Sequence, residues 1–339
     1  MGIRVPAVER EGVEVTDRRK TYWHLASAKR MPSDYEIATS RLLYHVGRGG
    51  FAVNMPTSEF YARNQKGSPL TSQRWEDFVD PRATTYTKYV ELQRDAESHV
   101  SRLLVSAGDP EYERSLTAGW AEHFGRILSP LRFLCHGLQM AAAYVGQMAP
   151  SSRIAVAALF QCGDEVRRIQ RIAYRLAQVA RVRPEMIAAG RALWQSDPTW
   201  QPLRRGIETL LVTYDWGEAL VALNVCVKPV VDDLFLGALA QRADESDAHL
   251  DAQILRSLFE DCRWHRAWTG GLLALARADN AANEPVIAGW IDKWTPVVDA
   301  CAGAAAKVVG TDASFAGAEA RARLLRLNGV TANRTVSNG

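Results

Sequence analysis

Residues 129–182 read SPLRFLCHGLQMAAAYVGQMAPSSRIAVAALFQCGDEVRRIQRIAYRLAQVARV, and their pattern predicts two long helices joined by a short turn. Apolar residues recur in each half at alternating spacings of three and four, which is typical of a helix packed lengthwise on a neighbour. The two stripes are Leu131, Leu134, Leu138, Ala141, Val145 and Met148, then Cys162, Val166, Ile169, Ala173, Leu176 and Ala180. Pro150 lacks an N–H and cannot continue the first helix, and the hydroxyls of Ser151 and Ser152 can cap the second. The stretch therefore predicts an αα-hairpin.

The helical pattern continues on both sides of this hairpin. Gly and Pro breaks divide the chain after Pro81 into predicted helices at about 82–107, 111–128, 130–148, 152–182, 184–195, 200–213, 215–242, 247–278 and 284–309. Period-two runs of Val, Ile and Thr, which would indicate strands, are absent from the sequence. The pattern predicts an all-α bundle whose longest helices exceed those of an ordinary globular protein.

Four regions follow from composition. We expect a flexible N-terminal arm at 1–20, an extended wrapping segment at 21–80, a helical domain at 81–309 and a C-terminal tail at 310–339. The wrapping segment is irregular and rich in aromatic residues, which favours packing over another surface. Within it, Gly47-Arg48-Gly49-Gly50 lacks the preceding strand and the following Gly-Lys-Ser/Thr of a phosphate loop, so we interpret it as a plain turn.

Bulk charge and cysteine usage exclude several classes of protein. The 41 Lys and Arg residues nearly balance the 38 Asp and Glu residues, which argues against a nucleic-acid or membrane-surface partner. The five cysteines form no C-x-x-C pair and lie in apolar contexts, as reduced core thiols do. The first residues lack an apolar signal core, and the longest charge-free run, 133–152, contains polar residues and a proline. These features predict a cytoplasmic protein.

A bundle of long helices raises the possibility of a di-iron site. In ferritin-like di-iron proteins, two helices contribute one Glu each and two contribute Glu-x-x-His, because residues three apart share a helix face. The residues three before the seven histidines are Thr21, Leu42, Ala96, Trp120, Phe133, Ser246 and Cys262. None of them is a carboxylate, so the sequence fails this test.

Two segments resemble such motifs with the imidazole replaced. Asp164-Glu165-Val166-Arg167-Arg168 has Arg168 in the histidine position, and Asp261-Cys262-Arg263-Trp264 has Trp264 there. Neither a guanidinium nor an indole ligates a metal. One interpretation is a bundle centre that holds salt bridges and aromatic residues instead of metal. The other is that Glu165 and Arg168 form an ordinary surface pair, and spacing alone leaves both open.

Other candidate sites are weaker. Asp232-Asp233 resembles the start of a magnesium-binding D-D-x-x-D motif, but Leu236 occupies the fifth position. Asp261 and His265 lie one turn apart and could bind zinc, although no third ligand is near and a helix pair is favoured. Arg168, Arg171 and Arg175 form a basic stripe that favours an ion-paired face or a subunit contact over phosphate binding.

Tryptophan is unusually frequent, with ten residues, most of them in the C-terminal half. Trp264 and Trp268 lie one turn apart, as do Trp290 and Trp294, so we expect each pair to share a helix face. Core packing is the default explanation, while large subunit interfaces also enrich Trp, Tyr, Met and Arg. Together with the aromatic wrapping segment, this favours a chain that buries much surface against a partner.

Several ordered phrases of the sequence carry a family resemblance. They are Tyr22-Trp23-His24-Leu25-Ala26, Pro32-Ser33-Asp34-Tyr35-Glu36-Ile37, Ser129-Pro130-Leu131-Arg132, Leu138-Gln139-Met140, Ala143-Tyr144-Val145-Gly146-Gln147-Met148-Ala149-Pro150, Asp215-Trp216-Gly217-Glu218-Ala219, Val227-Lys228-Pro229 and Gly289-Trp290-Ile291-Asp292-Lys293-Trp294. From Tyr22 to Cys301 the chain resembles the β subunit of the hydroxylase of soluble bacterial multicomponent di-iron monooxygenases, of the toluene, alkene and isoprene monooxygenase type.

The resemblance implies a ferritin-like (ribonucleotide-reductase-like) fold and a place in an NADH-dependent enzyme that inserts one oxygen atom of O2 into small aromatics or alkenes. It implies an (αβγ)2 hydroxylase with the di-iron centre in α, together with an effector protein, a Rieske ferredoxin and an NADH reductase. The β chain of that family is a structural scaffold, so we expect no catalytic, cofactor-binding or metal-binding residue here. The residues alone leave two alternatives: a self-sufficient all-α enzyme with a site around Asp232, Asp233 and Asp261, or a helical adaptor unrelated to oxygenases.

Overall fold

The computed structural model describes residues 32–40, 56–107 and 111–311, and these residues form helices and turns without a β-strand. The helices are α1 Asp34–Thr39, α2 Pro56–Tyr61, α3 Tyr86–Ala107, α4 Glu111–Ser115, α5 Ala118–Gln147, α6 Ser152–Val179, α7 Glu185–Ser196, α8 Gln201–Leu211, α9 Trp216–Val221, α10 Lys228–Asp232, α11 Leu239–Glu245, α12 His249–Asp279 and α13 Asn283–Val309. The predicted all-α class is therefore confirmed. The 47–50 turn, the 1–20 arm and nearly all of the 310–339 tail lie outside the described residues.

The hairpin consists of α5 and α6, and its turn lies where Pro150 predicts it. The Ser151 hydroxyl accepts a hydrogen bond from the Ile154 amide at 3.4 Å and so caps α6. The predicted break at Ser129-Pro130 is wrong, because α5 runs through Pro130 without interruption. A proline ring has a helical φ and removes only one N–H, and α5 is buried against its neighbours along this stretch, so packing outweighs that loss. The helix instead begins after Thr117, whose hydroxyl accepts from the Trp120 amide.

The two predicted stripes of the hairpin have different outcomes. Every residue of the α5 stripe, from Leu131 to Met148, is buried. In α6 the predicted stripe is wrong, because Val166 is exposed and Cys162, Ile169 and Ala173 are only half-buried. The buried face of α6 instead carries charged side chains, among them Asp164, Glu165, Arg168 and Arg175. Helical spacing therefore identified the buried face of α5 but not that of α6.

Residues 216–245 form one continuous helical rod, referred to below as the central helix. It consists of α9, α10 and α11 joined by two π-helical segments, Ala222–Val227 and Asp233–Ala238. Pro229 follows the first π segment, so its missing N–H lies where the hydrogen-bond pattern is already changing. Nearly all of α9 and α10 is buried. The central helix is thus surrounded by the rest of the bundle.

The remaining elements close the bundle around this rod. α12 packs on the central helix, on α6 and on α3, while α13 packs on α8 and on the central helix. The segment before α3 is tied to the bundle by side chains: Gln65 Nε2 donates to the carbonyls of Met148 and Ala149, and Ser72 Oγ donates to Asp279 at 2.7 Å. Within the described residues, none of the helices has the length and hydrophobicity needed to cross a membrane.

Candidate functional site

Four charged side chains meet in the interior between α6 and the central helix. Arg168 Nη1 lies 3.1 Å from Glu165 Oε2 and 2.9 Å from Asp232 Oδ1. Lys228 Nζ lies 2.8 Å from Glu165 Oε1 and 2.8 Å from Asp232 Oδ2. Each of the four is at most 3% exposed. Two cations and two anions therefore alternate in a closed ring, which we call the central charge cluster.

The ionisation of this cluster follows from the mutual arrangement of its charges. Burial acts to raise the pKa of Asp232, but the neighbouring Lys228 and Arg168 outweigh it and hold that pKa well below its usual range. Burial and Arg168 act to lower the pKa of Lys228, yet the carboxylates, with Asp232 foremost, raise it above its usual value. Arg168 Nη2 also donates to the Cys262 thiol at 2.8 Å, and burial raises the pKa of that thiol. The cluster is thus an ion-paired, charge-balanced unit beside neutral Cys262.

The Glu165 carboxylate is the one member of the ring whose oxygens accept no hydrogen bond. Its two oxygens lie at ion-pair distance from Lys228 and Arg168, but neither is aligned for a hydrogen bond. Glu165 is fully buried, so no water contact compensates for this geometry. An electrostatic contact without hydrogen bonds stabilises a buried carboxylate less than an aligned one does.

A second buried pair, Asp164 and His265, lies next to the cluster. His265 Nε2 is 2.9 Å from Asp164 Oδ2, and Asp164 Oδ1 accepts from the Tyr89 hydroxyl and from Gln93 Nε2. Burial, followed by the Lys228 charge, lowers the pKa of His265 well below its usual value. Burial, followed by Asp261, raises the pKa of Asp164 well above its usual value. His265 is therefore a neutral imidazole at neutral pH.

Three further arginines of α6 are also ion-paired across helices. Arg167 contacts Glu97 of α3 and Asp261 of α12, each at 2.7 Å. Arg171 pairs with the same Glu97. Arg175 pairs with Glu113 and with Asp251, whose other oxygen accepts from Trp120 Nε1 at 3.0 Å. The predicted basic stripe is thus an ion-paired face within the subunit.

These contacts decide between the alternatives that the sequence left open. Glu165 and Arg168 are not a surface pair but the core of the buried cluster. Asp232 and Asp233 point to different partners, since Asp233 contacts Arg266 at 2.6 Å. Asp261 and His265 are likewise separated by their partners, Arg167 and Asp164. In the ranges that the structure describes, no three His, Cys, Asp or Glu side chains are placed to hold one metal ion.

The residues at the centre do not fit a carboxylate-bridged metal pair. A metal would need the oxygens of Glu165 and Asp232, yet Lys228 Nζ contacts both carboxylates. The Arg168 guanidinium also contacts both carboxylates. Protonated nitrogen cannot ligate, so these side chains hold the carboxylates in place without offering a coordination site.

The tryptophans follow the prediction for core packing. Trp264 and Trp268 are both buried, and their indole N–H groups donate to Asp80 and Gln161 at 3.0 Å. Trp294 is buried and donates to Glu218 at 2.9 Å, while Trp290 is half-buried. The indoles therefore tie α12 and α13 to neighbouring elements.

Sequence reasoning missed Lys228 and Cys262 as members of the cluster. Lys228 is the single basic residue in the run ALVALNVCVKPVVDDLFL, from Ala219 to Leu236. A charged residue within such an apolar run is buried only when it is paired. That isolation, with Asp232 one turn later, is the signal that could have identified it.

Comparisons with known proteins agree with this arrangement. Residues 56–280 match the family model described as methane/phenol/alkene hydroxylase. The chain is 34% identical over 302 residues to the hydroxylase component subunit beta of the toluene-4-monooxygenase system of Ectopseudomonas mendocina, covering 86% of this chain and 91% of that protein. It is 24% identical over 228 residues to the oxygenase component of phenol 2-monooxygenase of Pseudomonas sp. (strain CF600), covering 66% and 67%.

Solved structures give the same result. A chain of toluene 4-monooxygenase, solved with toluene bound in its resting active site, superposes with a TM-score of 0.81 at 32% identity, covering 88% of this chain and 100% of that one. A chain of phenol hydroxylase from Pseudomonas sp. OX1 superposes with a TM-score of 0.82 at 19% identity, which shows the shared fold, covering 96% and 97%. The expected ferritin-like fold is confirmed. The chain belongs to the methane/phenol/alkene hydroxylase family, as a hydroxylase β subunit of the multicomponent monooxygenase type.

Proposed function

We propose that this chain is a non-catalytic structural β subunit that scaffolds the iron-bearing α subunit of an NADH-dependent di-iron monooxygenase. The enzyme inserts one oxygen atom of O2 into small hydrocarbons, aromatics or alkenes. The named activities of the relatives, toluene and phenol oxidation, support this substrate class. The assembly is (αβγ)2 and cytoplasmic, and it works with an effector protein, a Rieske ferredoxin and an NADH reductase.

One observation carries the non-catalytic part of this proposal, namely the central charge cluster. Arg168 stands three residues after Glu165, the position that a ligating histidine takes in a di-iron bundle. Lys228 supplies the second positive charge, so two positive charges take the place that a metal pair would occupy between Glu165 and Asp232. The chain thus has two facing carboxylates, Glu165 and Asp232, and its own cationic side chains lie between them. We assign no catalytic, cofactor-binding or metal-binding residue to this chain.

Metal analysis of separated subunits tests this function. The chain is co-expressed with the coding sequences beside its own, the native complex is weighed by mass spectrometry, and iron is measured in each subunit after separation. We expect stoichiometric assembly with a larger chain that retains the iron. Two iron atoms bound to this chain would overturn the non-catalytic role.

Two further observations separate the alternatives, namely turnover of alanine variants and the sequence of the partner chain. If Asp232, Asp233 and Asp261 formed a site, alanine at these positions would abolish turnover without loss of assembly. Their observed partners, Lys228, Arg266 and Arg167, favour a structural role instead. For a helical adaptor, the partner chain would lack any Glu-x-x-His sequence. We also propose the four regions 1–20, 21–80, 81–309 and 310–339 as the working units of the chain.

A further inference from the structure

Helix α6 buries its charged residues together with apolar ones, and its exposed residues carry no charge. It contains seven charged residues, and six of them are buried: Arg153, Asp164, Glu165, Arg167, Arg168 and Arg175. The seventh, Arg171, is mostly covered and paired with Glu97. The exposed positions are Leu159, Val166, Gln170, Tyr174 and Ala177, which carry no charge. A helix at a protein–water boundary normally shows the opposite pattern.

The neighbouring half of α5 continues this surface without an exposed Asp, Glu, Lys or Arg. From residue 133 to its end, its exposed side chains are His136, Met140, Ala143 and Gln147. These lie at spacings of four, three and four, so they share one helix face. Leu159 is 61% exposed, and Val166, Tyr174 and Met140 are also among the exposed large hydrophobic residues. We call this two-helix surface, formed by the exposed residues of 133–147 and 159–177, the hairpin face.

A groove between α3 and α6 extends the hairpin face. It has a volume of about 360 Å³ and is lined by Tyr89, Val90, Gly163 and Val166, with Arg94, Glu97, Arg167 and Gln170 also contributing. Gly163 lets Tyr89 of α3 pack closely against α6 at one wall of the groove, because a Cβ there would lie 2.4 Å from the Tyr89 hydroxyl. Since Glu97 and Arg167 neutralise each other, the groove suits a large apolar side chain.

From these observations we infer that the hairpin face and its groove are the docking surface for the unlike, helical subunit of the hydroxylase. This inference rests on the proposed function, which supplies a partner; the structure supplies the location. The stretch from Leu159 to Ala177 is about 27 Å long, and two helices side by side are about 20 Å wide. The resulting area, on the order of 500 Å² before the groove is counted, approaches the roughly 800 Å² per partner of a stable interface.

The partner must present an uncharged face two helices wide. A charged residue pressed on Leu159 and Val166 would lose its hydration without gaining an ion-pair partner. Most charged side chains of α6 pair with other helices of the same subunit, and its exposed side presents uncharged side chains, mainly Leu159, Val166 and Tyr174.

The first test measures assembly. The full-length chain is co-expressed with its neighbouring subunits as the parent, as the double variant Leu159→Glu/Val166→Glu, and as the control Ala300→Glu on α13, where the side chain is exposed. The two changes on the hairpin face are expected to reduce the recovered complex at least tenfold, and the control to leave it unchanged. Circular dichroism of each purified chain establishes that helix content is retained.

The second test maps protection and does not depend on a disruptive variant. Val166→Cys and Ala300→Cys chains are treated with a maleimide, alone and within the complex, and the labelled positions are read by mass spectrometry. Position 166 is expected to react in the isolated chain and to be at least tenfold slower in the complex, while position 300 reacts in both. Equal reactivity of position 166 in both states would overturn the inference.

Other occupants give different results. Protection of position 166 in the isolated monomer would assign the face to another segment of this chain, and protection that depends on its concentration would assign it to a second copy. Either result overturns the assignment to the unlike subunit. Normal assembly of the double variant would place the subunit contact elsewhere while leaving the proposed function intact. Absence of any co-purifying subunit from the parent would instead overturn the proposed function.

Discussion

Arg168 Nη1 lies 2.9 Å from Asp232 Oδ1, and both side chains are buried in the middle of the helix bundle. The pair joins α6 to the central helix, and Glu165 and Lys228 complete the charge balance. Desolvating four charges is costly, and their mutual attraction offsets that cost only while the set is complete. Removing one member should therefore lower the free energy of unfolding.

Replacement of Arg168 by methionine leaves two carboxylates, Glu165 and Asp232, with the single cation Lys228. We expect the free energy of unfolding to fall by about 3–5 kcal/mol, because a buried negative charge loses its partner. Urea unfolding followed by tryptophan fluorescence measures this change. The matched control is Arg204→Met, which breaks the more exposed pair with Glu208 and should cost about 0–1 kcal/mol.

A charge-balanced double variant separates electrostatics from packing. Glu165→Gln combined with Arg168→Met retains the paired Lys228 and Asp232 and removes one charge of each sign. We expect this variant to be more stable than Arg168→Met alone, with a coupling of about 0.5–3 kcal/mol in the double-mutant cycle. Additive losses would mean that Arg168 contributes through packing and not through charge balance.

Acid is expected to weaken the same cluster through Asp232. Lys228 and Arg168 hold the pKa of Asp232 below its value in the unfolded chain, despite the opposing effect of burial. A carboxylate with a lowered folded-state pKa contributes stability that is complete above the unfolded pKa of about 4 and is lost as the pH falls below it. The stability difference between the parent and Asp232→Asn should therefore be constant from pH 7 to about pH 5.

Below pH 4 that difference should shrink by up to about 1.4 kcal/mol per pH unit, because the unfolded parent chain binds a proton that the folded protein does not, and asparagine does not titrate. Urea midpoints of the two proteins at pH 6, 4 and 3 provide the measurement. A difference that stays constant down to pH 3 would show that Asp232 is not the titrating group. Asp244→Asn is the control at a less buried carboxylate, because Asp244 is only half-buried and the hydrogen bond from Arg256 also lowers its pKa.

Metal should have no effect on the stability of the isolated chain. A ligand that binds only the folded state at a hundred times its Kd raises the free energy of unfolding by about 2.7 kcal/mol. Because Lys228 and Arg168 occupy the space between Glu165 and Asp232, anaerobic ferrous iron should leave the thermal midpoint unchanged. A rise that saturates with iron, and that Glu165→Gln removes, would contradict the assignment of no metal site to this chain.

The sequence predicted the hairpin and the long helices because these depend on local patterns. The α5 stripe from Leu131 to Met148 alternates at helical spacing, and Pro150 ends the helix by its own chemistry. Pro130 behaves differently because its neighbours decide: the buried α5 stretch around it gains more from packing than one hydrogen bond is worth. A local rule cannot include that gain.

The burial of the charged residues of α6 could not be read from its own sequence. Its apolar and charged faces have the same period, and only the partners decide which one is buried. Those partners lie far away in sequence: Arg168 meets Asp232, Arg167 meets Asp261, and Arg175 meets Asp251. The near-miss motif at Glu165 and Arg168 left a central salt bridge and a surface pair equally open, because spacing alone does not give burial; the structure shows the buried pair.

Helix α7 lies very close to α5 at Gly190, whereas Gly289 of α13 faces open space. A Cβ at Gly190 would lie 2.0 Å from Ser129 Oγ and 2.9 Å from the Ser129 carbonyl oxygen. The Ser129 hydroxyl also donates to the Met186 carbonyl at 2.7 Å, so the two helices are held together at this point. At Gly289 of α13, by contrast, a Cβ would meet no atom within 4 Å.

Alanine should therefore have opposite effects at the two positions. Gly289→Ala is expected to raise the free energy of unfolding by about 0.5–1 kcal/mol, because alanine is the better helix former. Gly190→Ala gains the same propensity but must push α7 away from backbone atoms of α5, which costs about 1–3 kcal/mol, so we expect net destabilisation. Urea unfolding of both variants decides the matter. Stabilisation by both substitutions would show that α7 can move from Ser129 without loss, and that the contact does not fix the position of α7.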